Sequence, residues 1–111
     1  MAVEQFEALV ADSLDGIPEQ LRGAMENVAV LVDDQSPPGR LFGLYEGVPL
    51  TNRGNNYSSS MPDRITIFMG TILGACGSER EVVDLVRTTV IHEVGHHFGI
   101  GEARLKELGW A

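Results

Sequence analysis

Residues 78–102 read SEREVVDLVRTTVIHEVGHHFGIGE, and their periodicity decides the fold. Ser78 followed three residues later by Glu81 is a capping-box signature, in which the hydroxyl satisfies an otherwise orphaned N–H of the first turn. No proline interrupts the run before Gly99, so the spacing predicts one long helix over residues 79–98. At about 100° per residue, Val82, Val83, Leu85, Val86, Val90 and Val94 share a broad apolar arc, while Glu81, Asp84 and Thr88 occupy the polar remainder. His92 and His96 fall about 40° apart on the border, anchored by the core yet open to a cleft.

That border carries the chemistry. His92, Glu93, His96, Gly99 and Glu102 spell HExxHxxGxxE. Two histidines at i and i+4 project from one helical face and can share a zinc ion at about 2.0–2.1 Å. Glu93 is rotated by about 100°, poorly placed to ligate but able to reach a metal-held water from the side, as a general base must. A catalytic zinc needs a third protein ligand and one open position. A helix that ran straight on would carry later residues away from the metal. Gly99, with Gly101 close behind, can take the left-handed conformation that ends a helix, letting Glu102 return as an oxygen ligand. Zinc lowers the pKa of such a water to about 7, and Glu93 would take its proton as a polarised carbonyl is attacked. His97 lies about 140° from His92, towards the buried side, and is expected to pack or to support a ligand without binding metal.

HExxH can also arise by chance on a charged helix whose histidines are solvated or simply buried. Here the capped start, the apolar arc, the glycine at the bend and the carboxylate at third-ligand spacing agree with one another, which favours a metal site.

The remaining sequence frames that helix. At 111 residues the chain suits one domain, residues 1–111, with one modest core. Its hydrophobic fraction of 43% and charged fraction of 22% are those of a globular protein. A net charge of -8 would repel phosphate backbones and anionic lipid, so neither nucleic acid nor a membrane is an expected partner. The opening MAVEQFEALVADSLDG has neither a basic start nor a long apolar stretch, which leads to the expectation of a cytoplasmic protein. Cys76 is the only cysteine, so no internal disulfide can form, and it reads as a buried, inert thiol.

Phe6, Leu9, Val10, Ser13 and Leu14 recur at helical spacing, predicting a helix over residues 3–14 that Asp15-Gly16 stops. Pro18 at a first helical position suggests a second, short helix through EQLRGAM. Val28–Val32 reads as a buried strand before the DDQSPPG turn, Leu41–Tyr45 as a second, and Arg64–Met69 (RITIFM) as a third. Between the last two, TNRGNNYSSSMP reads as a surface loop able to rim a cleft. GEARLKELGWA suggests a turn and a short terminal helix, with Trp110 packing back onto the body.

At HEVGHHFGIGE the chain resembles the metzincin branch of the zincins, whose third ligand, usually histidine and sometimes an acid, stands where Glu102 does. FEALVADSLDGIP, LFGLYEGVPLTNR and HHFGIGEARLKELGW together are similar to a family of small bacterial zincin-like metallopeptidase domains, over nearly the whole chain. The resemblance implies an α+β minimal zincin fold, with a small mixed sheet of three or four strands, an amino-terminal helix packed on the sheet and a long active-site helix. It also implies Zn2+ on His92, His96 and Glu102, Glu93 as the catalytic residue, and hydrolysis of a peptide or protein substrate.

One departure bears on substrate binding. Metzincins place a methionine-containing turn beneath the zinc, downstream of the signature, whereas the nine residues after Glu102 contain no methionine. The lower wall of the cleft is then either missing or built from the terminal helix and Trp110, and an open half-cleft would hold peptide weakly unless a partner, a second subunit by self-association, or the 51–62 loop closes it. Peptide could add to a sheet edge, for which residues 64–69 are the candidate, although they read equally well as a core strand. Tyr45, Tyr57 and Arg64 carry donors that could serve an oxyanion, though tyrosines more often pack and arginines more often face water. The alternative to a peptidase is a zinc-containing, non-catalytic module that binds a peptide or protein. A structural zinc site is a further rival, but it would need a fourth protein ligand, and the sequence offers none at suitable spacing.

Overall fold

The computed structural model describes residues 1–25, 27–35, 39, 41–47 and 62–107, with the side chains of Gln20 and Glu102 outside that description. In chain order the elements are α1 (Val3–Asp15), α2 (Glu19–Arg22), β1 (Val28–Asp33), β2 (Gly43–Glu46), β3 (Asp63–Phe68), α3 (Met69–Ala75), α4 (Glu79–Phe98) and α5 (Glu102–Glu107). This is a mixed α+β protein built from helices and one small sheet.

The three strands form one mixed sheet in the order β1-β3-β2. β3 runs parallel to β1, with Val28 opposite Asp63, and antiparallel to β2, with Tyr45 opposite Ile65 and Gly43 opposite Ile67. Of the two readings of residues 64–69, sheet edge or core strand, the core one holds: β3 is the central strand. Its composition explains this: Asp63, Ile65, Ile67 and Phe68 are buried, and a strand paired on both sides offers no backbone edge to a peptide. On the outer face Arg64 pairs with the directly opposed Glu46 at 3.1 Å. That pair is about half exposed and contributes at most about 1 kcal/mol.

α4 lies across the inner face of the sheet, and α1 packs mainly on α4. The reason is legible in α4 itself, which is buried on two sides. Val82, Val86, Val90 and Val94 join Phe6, Val10, Ile65, Ile67 and Ile72 in a single core. Thr89, Glu93 and His97 are buried as well. The predicted apolar arc is thus shifted: Val83 stays exposed at 43%, while Thr89 takes an inward position. Thr89 can do so because its hydroxyl donates to the Leu85 carbonyl at 2.7 Å, leaving no polar group unpaired.

The start of α4 is capped as expected. Ser78 Oγ accepts from the Glu81 N–H at 3.2 Å, while Glu81 reaches back to the N–H of Gly77 at 3.0 Å, one residue earlier than in a standard capping box. Met69, read as the end of a strand, instead opens α3, a helix the sequence patterns did not announce. Among the described residues no helix is long and apolar enough to cross a membrane.

Candidate metal centre

The last two turns of α4 bring His92, Glu93 and His96 together. One donor atom from each lies within 4.8 Å of those of the other two, and the two imidazole centroids are 4.7 Å apart. His92 is half-buried, His96 is exposed and Glu93 is buried, so the cluster sits at a boundary between core and water. Such a border suits a bound cation, since the protein fixes the ligands while one side stays open to a substrate or water. Two neutral imidazoles at i and i+4 with an adjacent carboxylate are a donor set appropriate to a divalent transition metal, zinc among them.

Glu93 supplies the most telling observation. Its side chain is only 5% exposed, and Oε2 is buried without a hydrogen-bond partner among the described residues. A buried carboxylate oxygen normally finds a donor, so an orphaned one beside two histidines fits a place where a cation or its water belongs. Burial pushes the Glu93 carboxyl above its usual range, while His96 and His92 pull it back down. Raised basicity at a buried position is what a general base needs.

The wall behind Glu93 is backbone. Gly43 of β2 approaches so closely that a Cβ there would lie 2.8 Å from Thr89 Cγ2 and 3.0 Å from Glu93 Cγ. Only glycine lets the strand and the helix meet at this distance, which fixes the course of the Glu93 side chain from the sheet side.

The helix then turns as the sequence required. Gly99 adopts φ 74 and ψ 26, its N–H bonds to the His96 carbonyl at 3.0 Å, and the Ile100 N–H bonds to the Gly95 carbonyl at 2.8 Å. This pair of bonds is a Schellman motif, and it reverses the chain directly after the metal-facing turn. Glu102 opens α5, and α5 returns onto α4 through Leu105, which is 2% exposed. The structure therefore brings the backbone carrying Glu102 back after the turn, while its side chain is outside the described residues.

His97 is completely buried, as expected, and turns away from the cluster to place Nδ1 2.9 Å from Asp63 Oδ2. The Tyr45 hydroxyl donates to that same oxygen at 2.6 Å. Tyr45 thus commits its donor to Asp63 and is not positioned as an oxyanion donor, and Arg64 is engaged by Glu46 on the opposite face. Tyr57, the rest of residues 48–61 and Trp110 lie outside the described residues.

Sequence reasoning missed Gly95 and Asp63. Gly95 had a signal: glycine inside an uninterrupted helix costs about 1 kcal/mol relative to alanine, so it usually marks a close contact. Asp63 had none, because its partners stand 18 and 34 residues away.

Comparison with known proteins agrees with this fold. The fold is similar to that of a conserved hypothetical protein from T. thermophilus, with a TM-score of 0.56, 23% sequence identity and 97% of each chain covered. No functionally curated protein matches the chain. The family model described as zincin-like metallopeptidase matches residues 25–110, a span that includes the whole sheet, the histidine pair and the returning helix, and the chain belongs to that family.

Proposed function

We propose that this protein is a zinc-dependent metallopeptidase that hydrolyses peptide bonds in a peptide or protein substrate. His92, His96 and Glu102 would hold the ion, and Glu93 acts as the base. Zinc held there supplies Lewis acidity, lowering the pKa of water and polarising a substrate carbonyl. The observation that carries the reading is the buried, partnerless Oε2 of Glu93 beside the two imidazoles.

The protein's own contribution is orientation and proton handling. Glu93 sits one position past His92 on the helix, so its carboxylate would serve as the base while the two imidazoles would hold the ion. At this position Glu93 would accept the water's proton and then deliver it to the departing amine. Gly43 leaves the Glu93 side chain little room to swing, so the acceptor oxygen does not have to be reoriented during each turnover.

The test is Glu93→Gln, which preserves size but cannot take a proton. The variant should retain one zinc per chain and lose chelator-sensitive cleavage of unstructured casein. Undiminished cleavage by the variant would remove Glu93 from the mechanism. Zinc uptake without cleavage by the unaltered chain would instead favour a peptide-binding module.

A further inference from the structure

Beside the metal cluster, but outside it, lies a chain of three side chains, two of them buried and the third, Tyr45, partly so. Asp63 is 3% exposed and His97 is fully buried. Asp63 Oδ2 receives the Tyr45 hydroxyl at 2.6 Å and lies 2.9 Å from His97 Nδ1. An ionised carboxylate can only accept, so with Asp63 ionised His97 presents an Nδ1–H to it. The backbone of Gly47 closes over the carboxylate, since a Cβ there would fall 2.5 Å from both Cγ and Oδ1. A buried carboxylate is tolerated only when its oxygens are supplied with donors, so the arrangement holds each member in one place.

The far end of this chain touches the metal cluster. The Tyr45 ring meets the His96 ring edge-on, with centroids 6.3 Å apart and planes at 88°, and meets His97 at 6.1 Å and 67°. His96 is the more exposed of the two histidines in the cluster, so helix packing restrains its imidazole less than that of His92. We infer that Tyr45 is a positioning residue for His96, its ring held by the Asp63–His97 anchor so that the imidazole is oriented for metal before metal arrives. The phenol does not act on substrate. It links the first residue of β3 to the last turns of α4, and so couples sheet register to ligand geometry. The inference rests on the metal-site reading above.

The experiment compares the unaltered chain with Tyr45→Leu, which removes the ring, and Tyr45→Phe, which keeps the ring but not its anchor. Zinc affinity is measured by competition with a chromophoric chelator, and ligand geometry by the absorption bands of the Co2+-substituted protein. Leucine should weaken zinc binding by about tenfold or more, the loss typical when support behind a ligand is removed, and should alter the Co2+ bands. Phenylalanine should retain more of the affinity than leucine. Equal affinity and identical bands in all three would overturn the inference while leaving the zinc site intact. No metal uptake by the unaltered chain would overturn both. If the leucine variant does not fold, the metal-free native protein still decides, because nuclear Overhauser contacts between the Tyr45 and His96 ring protons are required and their absence refutes the arrangement.

Discussion

Leu105 of α5 rests on Gly95 of α4 so closely that a Cβ at Gly95 would lie 2.9 Å from Leu105 Cδ1 and 3.3 Å from the Ile100 carbonyl oxygen. The contact sits one residue before His96 and three residues after Glu102, and it sets how near the returning helix comes to the histidine pair. Gly95→Ala should therefore separate two effects. Alanine raises helix propensity by about 1 kcal/mol, which offsets part of the steric cost, so thermal stability should move little. Zinc affinity should fall several-fold because α5 is displaced. In a Leu105→Ala background, itself costing about 2–5 kcal/mol, the added loss of affinity from Gly95→Ala should shrink. Chelator competition on the four variants of the cycle checks this.

Glu102→Ala should reduce zinc from one per chain to a substoichiometric amount after dialysis, as measured by mass spectrometry of the purified protein. Two imidazoles alone leave a zinc ion with half its usual ligands, and loss of a charged oxygen donor removes the strongest electrostatic contribution to the site. Glu102→Asp should recover part of the binding, since the carboxylate remains but is shorter. Full occupancy in the alanine variant would exclude Glu102 as a ligand.

The helix that carries the site was legible because its signals are local. Ser78 and Gly99 mark its ends by hydrogen-bonding chemistry within a few residues, and the i, i+4 histidines define a face without any knowledge of the rest of the fold. What stayed hidden depends on contacts distant in sequence. RITIFM contains no sign that β3 ends at Phe68 and helix α3 begins at Met69, because a short apolar run serves either state. Nor could it reveal that β3 is central, which requires β1 and β2 on its two sides. Val83 and Thr89 show the same limit: periodicity gives an arc, but the partner surfaces decide its edges, and with the sheet and α1 both on α4 the arc widens to take in Thr89, Glu93 and His97. Tyr45 was visible as a candidate donor. Its engagement by Asp63 was not, since that bond spans 18 residues.

Cys76 should react slowly. It is half-buried against the core, and loss of solvation, with a further contribution from the Glu81 carboxylate, pushes its thiol above the ordinary range. A raised pKa means less thiolate at any pH near 8, and the thiolate is the reactive form. Alkylation by iodoacetamide at pH 8 should be slower in the folded protein than in urea, and its rate should keep rising at pH values where a free cysteine, with a pKa of about 8.5, has levelled off. Glu81→Gln should speed alkylation modestly by removing the smaller of the two causes. Equal rates in folded and unfolded protein would contradict the shift.

Gly43→Ala tests whether the sheet holds the base in place. The Thr89 hydroxyl is turned to the Leu85 carbonyl, and its methyl faces Gly43, so an added Cβ meets that methyl at 2.8 Å and Glu93 Cγ at 3.0 Å. Neither neighbour can retreat freely: Thr89 is fixed by its back-bond, and Glu93 lies between helix and sheet. Overpacking of this kind costs about 1–3 kcal/mol of stability. The catalytic consequence should be larger than the structural one, because a base displaced by about 1 Å can lose on the order of a hundredfold in rate. We expect kcat for peptide hydrolysis to fall by about ten- to a hundredfold with zinc stoichiometry unchanged, since the atoms nearest the added methyl belong to Thr89, Glu93 and Thr66 and not to His92 or His96. An unchanged kcat would mean that Glu93 reaches its working position without the strand behind it, whereas loss of zinc with kcat would mean that β2 supports the ligands and the base together.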